Sequence, residues 1–199
     1  MKTRIITLTI ACLLALSAAG QSETPKTYTN FPIIVTLQFH ALSLPFRNLK
    51  SNFRNIGIGL GTEVSHNGEQ NWVTQFGVLW YRNKHVGNGL MPHIQTAWRP
   101  TLAGDAYTEI KAGVGYLISS RPAPAWKQVN GVWQPSGHKG KGMFTIPIGV
   151  SAGVNTWSGN TLVAPFVTYQ FLLVTGYSTS IPIVPQTLIQ TGVRVHPNN

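Results

Sequence analysis

Alternation of apolar and polar residues organises most of this chain. In the clearest segment, Ile56, Ile58, Leu60, Thr62 and Val64 share one parity, while Gly57, Gly59, Gly61, Glu63 and Ser65 share the other. A second segment sets Thr108, Ile110, Ala112, Val114, Tyr116 and Ile118 against Tyr107, Glu109, Lys111, Gly113 and Gly115. A period of two marks a strand with two unlike faces. Six further segments carry it: Ile33 to Ala41, Trp72 to Trp80, His93 to Arg99, Phe144 to Asn155, Val163 to Phe171 and Ile189 to Val195. Pro147 and Pro165 interrupt two of them, since proline cannot donate to a ladder. The short links are His66–Gln70, Thr101–Asp105 and Thr156–Asn160, each combining Gly with Asn, Asp or Ser as tight turns require. The long links are 42–55, 82–90, 119–142 and 174–186. Long and short links alternate strictly. The pattern predicts an all-β fold: an eight-stranded antiparallel up-and-down transmembrane β-barrel with short periplasmic turns and long outer loops.

Two features favour a membrane barrel over a water-soluble sandwich or lipocalin-like barrel. Glu109 and Lys111 fall on the face opposite Ile110 and Val114, so the charged face is the inner one. Aromatics also collect near strand ends, with Trp72, Trp98 and Tyr107 on one side and Trp80, Tyr81, Tyr116 and Phe171 on the other. Such paired girdles belong at the two membrane interfaces. Upstream, Lys2 and Arg4, the apolar run Ile5 to Leu16 and the small residues Ser17-Ala18-Ala19-Gly20 read as a cleaved secretory signal. That run is too short for the ~20 residues a spanning helix needs. Residues 1–20 are therefore expected to be the signal, 21–31 a periplasmic tail and 32–199 the barrel. The single cysteine, Cys12, lies in the signal, which leaves no disulfide or thiolate chemistry afterwards.

In strand number, link rhythm and inner charge, the chain resembles the small outer-membrane barrels of the OmpA/OmpX type. Gln21 after the signal and the style of the loops are similar to members from the Bacteroidota. The resemblance implies a Gram-negative outer-membrane location. One difference is the end of the chain, Val195-His196-Pro197-Asn198-Asn199, where such barrels carry a terminal aromatic.

Charge becomes informative once placed on this topology. The formal net charge is +10, with only five acidic residues. The expected outer loops hold Arg47, Lys50, Arg54, Arg82, Lys84, Arg121, Lys127, Lys139 and Lys141 and no carboxylate. Glu23, Glu63, Glu69, Asp105 and Glu109 all map to the tail or the periplasmic half. A one-signed outer face fits contact with lipopolysaccharide phosphates, or with an acidic partner in a larger outer-membrane complex. Trp126 and Trp133 lie in the same long loop as Lys127, Lys139 and Lys141 and add interface-prone side chains. Nucleic acid is not an expected partner at that location.

The interior of an eight-stranded barrel is filled by side chains. Glu63, Arg99, Glu109, Lys111 and Arg194 map to the lower lumen as a paired polar network, and His40 and His93 map to the upper lumen near Gln95 and Gln190. Two histidines without a supporting His/Asp/Glu spacing make no metal site, and no cofactor is implied. The chain has no Gly-x-Ser-x-Gly and no His-x-Ser pair. The expectation is a non-catalytic accessory or surface-interaction barrel. A lipid A-modifying hydrolase or acyltransferase and a small ion-conducting pore are the alternatives.

Overall fold

A computed structural model describes residues 30–42, 53, 55–68, 70–84, 87–120, 125–137, 140–159, 161–177 and 182–197. The expected signal and most of the tail lie outside these residues, as do Arg47, Lys50, Arg54, Arg121, Lys139 and the Lys127 side chain.

The described residues form twelve strands: β1 Ile33–Ala41, β2 Ile56–Ser65, β3 Trp72–Tyr81, β4 Gly89–Trp98, β5 Thr101–Ala103, β6 Ala106–Ser119, β7 Ala125–Val129, β8 Val132–Gly137, β9 Lys141–Val154, β10 Thr156–Ser158, β11 Thr161–Thr175 and β12 Ile183–His196. Eight are staves of a closed antiparallel barrel, in the order β1-β2-β3-β4-β6-β9-β11-β12. The seam pairs β12 with β1 from Ile33↔Val195 to Ala41↔Thr187. β5 and β10 are short strands that pair with the starts of β6 and β11 and tighten two of the short links. This is the eight-stranded up-and-down barrel that the alternation predicts.

Side-chain direction follows parity because each residue step along a pleated strand reverses the face. Ile56, Ile58 and Leu60 are 53%, 58% and 63% exposed, whereas Glu63, Glu109 and Arg194 are fully buried. The barrel is thus inside-out relative to a water-soluble one. Trp72 and Trp98 pair at one edge of the outer apolar belt, and Trp80 pairs with Leu90 at the other. The eight residue steps from Trp72 to Trp80, at about 3.4 Å each and tilted by about 40°, give a belt roughly 20 Å tall, near the ~25 Å band of membrane barrels.

Three prolines sit where a ladder is already broken. Pro92 pairs with Val78 of β3, but the β4–β6 ladder skips from Leu90↔Ile118 to His93↔Gly115. Pro147 pairs with Leu172 of β11, while the β6–β9 ladder skips from Ala112↔Ile148 to Gly115↔Thr145. Pro165 pairs with Val193 of β12 just beyond the point where the β9–β11 ladder ends at Phe166↔Gly153. In an antiparallel strand both polar groups of a residue point to one neighbour, so a missing N–H weakens only one ladder.

Four corrections to the sequence reading follow. Tyr81 and Tyr107 are not girdle residues; both point into the lumen and are 1% exposed. Strand β4 begins at Gly89, so the 82–90 link is shorter than expected. Strands β11 and β12 extend to Thr175 and back to Ile183, narrowing the 174–186 link to a few residues. The 119–142 link is not plain loop: β7 and β8 form a separate two-stranded hairpin within it. Its turn is Asn130-Gly131 with φ of 52° and 79°. Two positive φ values define the hairpin turn that Asn-Gly favours.

Candidate functional site

The lumen is packed in layers. Nearest the short turns, five charged side chains from β2, β6, β12 and the residue after β4 meet. Arg99 Nε donates to Glu109 Oε1 at 2.6 Å, and its Nη2 donates to Glu63 Oε2 at 2.7 Å. Arg194 bridges the same two carboxylates, with Nη2 2.8 Å from Glu109 Oε1 and Nε 3.1 Å from Glu63 Oε1. Lys111 Nζ lies 3.4 Å from Glu109 Oε2. Gln75 Nε2 donates to Glu63 Oε2 at 3.0 Å, and Arg194 Nη1 donates to the Tyr107 hydroxyl at 3.2 Å. Aromatic faces complete the shell: the Arg194 guanidinium lies 5.4 Å from the Phe166 ring centre and 5.7 Å from that of Tyr107. A planar guanidinium suits this bridging because its fork satisfies two acceptors at once. The network cross-braces strands that are not neighbours in the sheet.

Above it lies a neutral amide layer. Gln190 Nε2 donates to Gln170 Oε1 at 2.9 Å, and Gln170 Nε2 donates to Gln95 Oε1 at 2.9 Å. Ser151 and Thr168 hydroxyls pair at 2.8 Å. His93 stands beside this layer with Nδ1 3.4 Å from the Met91 carbonyl. Its ring covers Gly77, where an added Cβ would lie 2.7 Å from the His93 Cε1.

Toward the long loops the lumen turns apolar. Leu79, Tyr81, Met91, Leu117, Leu172 and Leu188 are buried there together with Met143, Val174 and Val184. His40 sits in this layer. Its Nδ1 accepts from Asn83 Nδ2 at 3.0 Å and its Nε2 donates to Gln186 Oε1 at 2.9 Å, so the ring is the neutral Nε2–H tautomer. The Tyr81 ring stacks on it at 3.9 Å, and the Tyr81 hydroxyl donates to Gln186 Oε1 at 3.2 Å.

The expected site residues are thus distributed as follows. Glu63, Arg99, Glu109, Lys111 and Arg194 form one network. His40 and His93 belong to separate local arrangements and do not meet. Gln95 and Gln190 join each other through Gln170 rather than accompanying His40. Sequence reasoning overlooked Tyr107, Gln75 and Phe166 around the network, and Tyr81, Asn83 and Gln186 around His40. Parity alone would have found five of them, since Gln75 and Tyr81 share a face of β3, Tyr107 precedes Glu109 by two, Phe166 lies two before Thr168, and Gln186 lies four before Gln190. Among the described residues no group of three or more His, Cys, Asp or Glu could hold a metal.

At the loop end, Arg82, Lys84 and Lys141 are exposed, and Lys141 Nζ donates to the Tyr177 carbonyl at 3.1 Å. On the hairpin, Trp126 pairs with Pro135 and Gln128 with Trp133. Cross-strand partners share a face, so Trp126 and Trp133 lie diagonally on the same side, 61% and 63% exposed. A separate groove of about 870 Å³ runs across the outer wall between the rows Leu60–Val78–Pro92 and Thr62–Phe76–Ile94. Its apolar lining belongs to the belt, and it presents no catalytic side-chain set.

Among the described residues, salt bridges occupy the lower lumen and leucines the upper. Planar-bilayer recordings of the purified protein are expected to show no discrete conductance steps. Steps that change size on neutralising Glu109 would contradict the packing.

No protein-family model and no curated protein sequence matches the chain. Solved structures do. Neisserial surface protein A, from Neisseria, is similar with a TM-score of 0.57 at 12% identity, covering 84% of this chain and 97% of that one. The N-terminal β-barrel domain of Pseudomonas aeruginosa OprF has a TM-score of 0.46 at 10% identity, covering 82% and 96%. The likeness to the Neisserial protein shows a shared fold, that of the small eight-stranded outer-membrane barrels.

Proposed function

We propose that this chain resides in an outer membrane and works through its loop end, as a non-catalytic accessory or surface-interaction protein whose basic side chains hold lipopolysaccharide. The filled lumen carries this reading. Arg99, Arg194 and their carboxylates fill the lumen below and Leu79, Met91 and Leu172 fill it above, so among the described residues the exposed Lys and Arg side chains lie at the loop end. There Arg82, Lys84 and Lys141 are exposed. His40 and His93 are each held by neighbours inside the barrel rather than beside an exposed nucleophile, which favours a non-enzymatic role.

Each Lys or Arg beside an anionic lipid surface contributes on the order of 1 kcal/mol. A triple change, Arg82→Glu, Lys84→Glu and Lys141→Glu, is therefore expected to strip most co-purifying lipopolysaccharide from protein extracted in gentle detergent. The folded fraction should stay unchanged, because all three side chains are solvent-exposed. Unaltered lipopolysaccharide retention would overturn the reading.

A further inference from the structure

The lumen network does not balance. Among the described residues, the buried Asp, Glu, Lys and Arg side chains of its lower half are Glu63, Glu109, Arg99, Lys111 and Arg194, all at most 5% exposed. Three cations face two carboxylates, leaving one positive charge in excess. The two arginines cannot deprotonate, and each bridges both carboxylates. Glu109 Oε1 serves Arg99 and Arg194 at 2.6 and 2.8 Å, and only Oε2, at 3.4 Å, faces Lys111. Lys111 is the least compensated cation. The Phe166 ring, 5.6 Å from Nζ, spreads its charge but does not cancel it.

Beside Lys111 is a partly open cavity of about 50 Å³, with polar and apolar surface in comparable parts, lined also by Thr36, Gln38, Gln75, His93 and Gln190 and, on its apolar side, by Phe166. Gly59, Gly61 and Gly77 also line it, on β2 and β3, and their missing side chains let Gln38 and His93 lie close against the wall. The Gln38 side chain is 1% exposed, and its Oε1 has no hydrogen-bond partner. Its Nε2 bonds the Thr36 hydroxyl at 3.2 Å. A hydroxyl can donate or accept, so the Gln38 amide can turn over, keep that bond and present its N–H₂ to the cavity. Gln75 and Gln190 each spend one amide proton, on Glu63 and Gln170, and each retains a second. The cavity thus gathers an ammonium and up to three amide donors; of the two buried carboxylates, Glu109 faces Lys111 and Glu63 is bound to Gln75.

We propose that this cavity is a binding site for one small monovalent anion of halide size, held by Lys111 and the Gln38 amide. The site closes the charge balance of the lumen. At about 50 Å³, against the ~10–15 Å³ that a single water needs on the same measure, it has room for a monatomic anion, and gluconate, a six-carbon chain, is far larger than a halide.

The test is to refold the full barrel from urea in chloride, in bromide, or in gluconate at equal ionic strength. The expected result is a higher unfolding midpoint in either halide than in gluconate. Crystals of bromide-refolded protein should show an anomalous peak beside Lys111 Nζ. Lys111→Met equalises cations and carboxylates, and it should fold, lose the peak and unfold at the same midpoint in all three salts. General salt effects would persist in that variant, so a halide preference that survives Lys111→Met overturns the proposal. So do equal midpoints in the unaltered barrel with no anomalous peak, which would mean that water alone fills the cavity. The anomalous measurement needs no variant and decides the matter even if Lys111→Met fails to fold.

Discussion

Glu109→Gln is expected to destabilise the barrel severely while leaving it able to fold. The carboxylate is fully buried and touches three cations: Arg99 at 2.6 Å, Arg194 at 2.8 Å and Lys111 at 3.4 Å. A glutamine keeps the volume but supplies one neutral acceptor, and its amide nitrogen points donors at groups that are already donors. Glu63 would then be the one described carboxylate facing three buried cations. Removing one partner of a buried ion pair costs about 3–5 kcal/mol, a large part of the 5–15 kcal/mol that domains typically have. Urea-refolding midpoints in lipid vesicles, together with the heat-sensitive mobility of the folded barrel on gels, would measure it. A second change gives the cause. Adding Lys111→Met to Glu109→Gln restores the original excess charge and is expected to recover part of the loss. If Glu109→Gln folds within about 1 kcal/mol of the parent, the network contributes little to stability.

The second large effect lies on the outer wall and depends on depth. Val114 pairs with Ile94, which pairs with Phe76, midway between the row of Trp72 and Trp98 and the row of Trp80 and Leu90. Val114→Arg therefore puts a charge at the middle of the belt, where membrane barrels lose roughly 2–4 kcal/mol. Ile110 pairs with Trp98 at the belt's edge, so Ile110→Arg should cost only about 0–1 kcal/mol. Both side chains are exposed, Val114 at 45% and Ile110 at 54%. In water, neither substitution would matter much and neither would exceed the other. A ranking of Val114→Arg well below Ile110→Arg in vesicle refolding measures the hydrocarbon directly. Equal, small effects would place the belt in water and remove the membrane reading.

The staves were legible because period-two patterning and turn chemistry agree. Ile56–Ser65 and Ile33–Ala41 have the boundaries that alternation indicates. Patterning failed where both parities are apolar. In Val78-Leu79-Trp80-Tyr81 and Tyr116-Leu117-Ile118 the lipid-facing and lumen-facing residues have similar character, so the apolar upper plug has no period to reveal it. Tyr81 and Tyr107 were misassigned because an aromatic near a strand end suits a girdle and a lumen equally. Their parity with Gln75 and Glu109 is the signal that separates the two. The hairpin Ala125–Gly137 was legible in principle, since Asn130-Gly131 stands between Val129 and Val132, but it was absorbed into a long link. Which lumen groups touch depends on stave register, and no local pattern in the sequence encodes that.

The seam between β1 and β12 carries a kinetic consequence. Ile33 meets Val195 and Ala41 meets Thr187, so the first stave waits for the last before its outer ladder exists. Bringing ends so distant together costs on the order of 4 kcal/mol of chain entropy, by the logarithmic dependence on loop length. Until then β1 and β12 are open sheet edges, and Arg194 is separated from the carboxylates it bridges. Closure and lumen neutralisation are therefore one event. Substitutions along the seam should register first in how fast the barrel matures, and in how long its edges stay available to other chains.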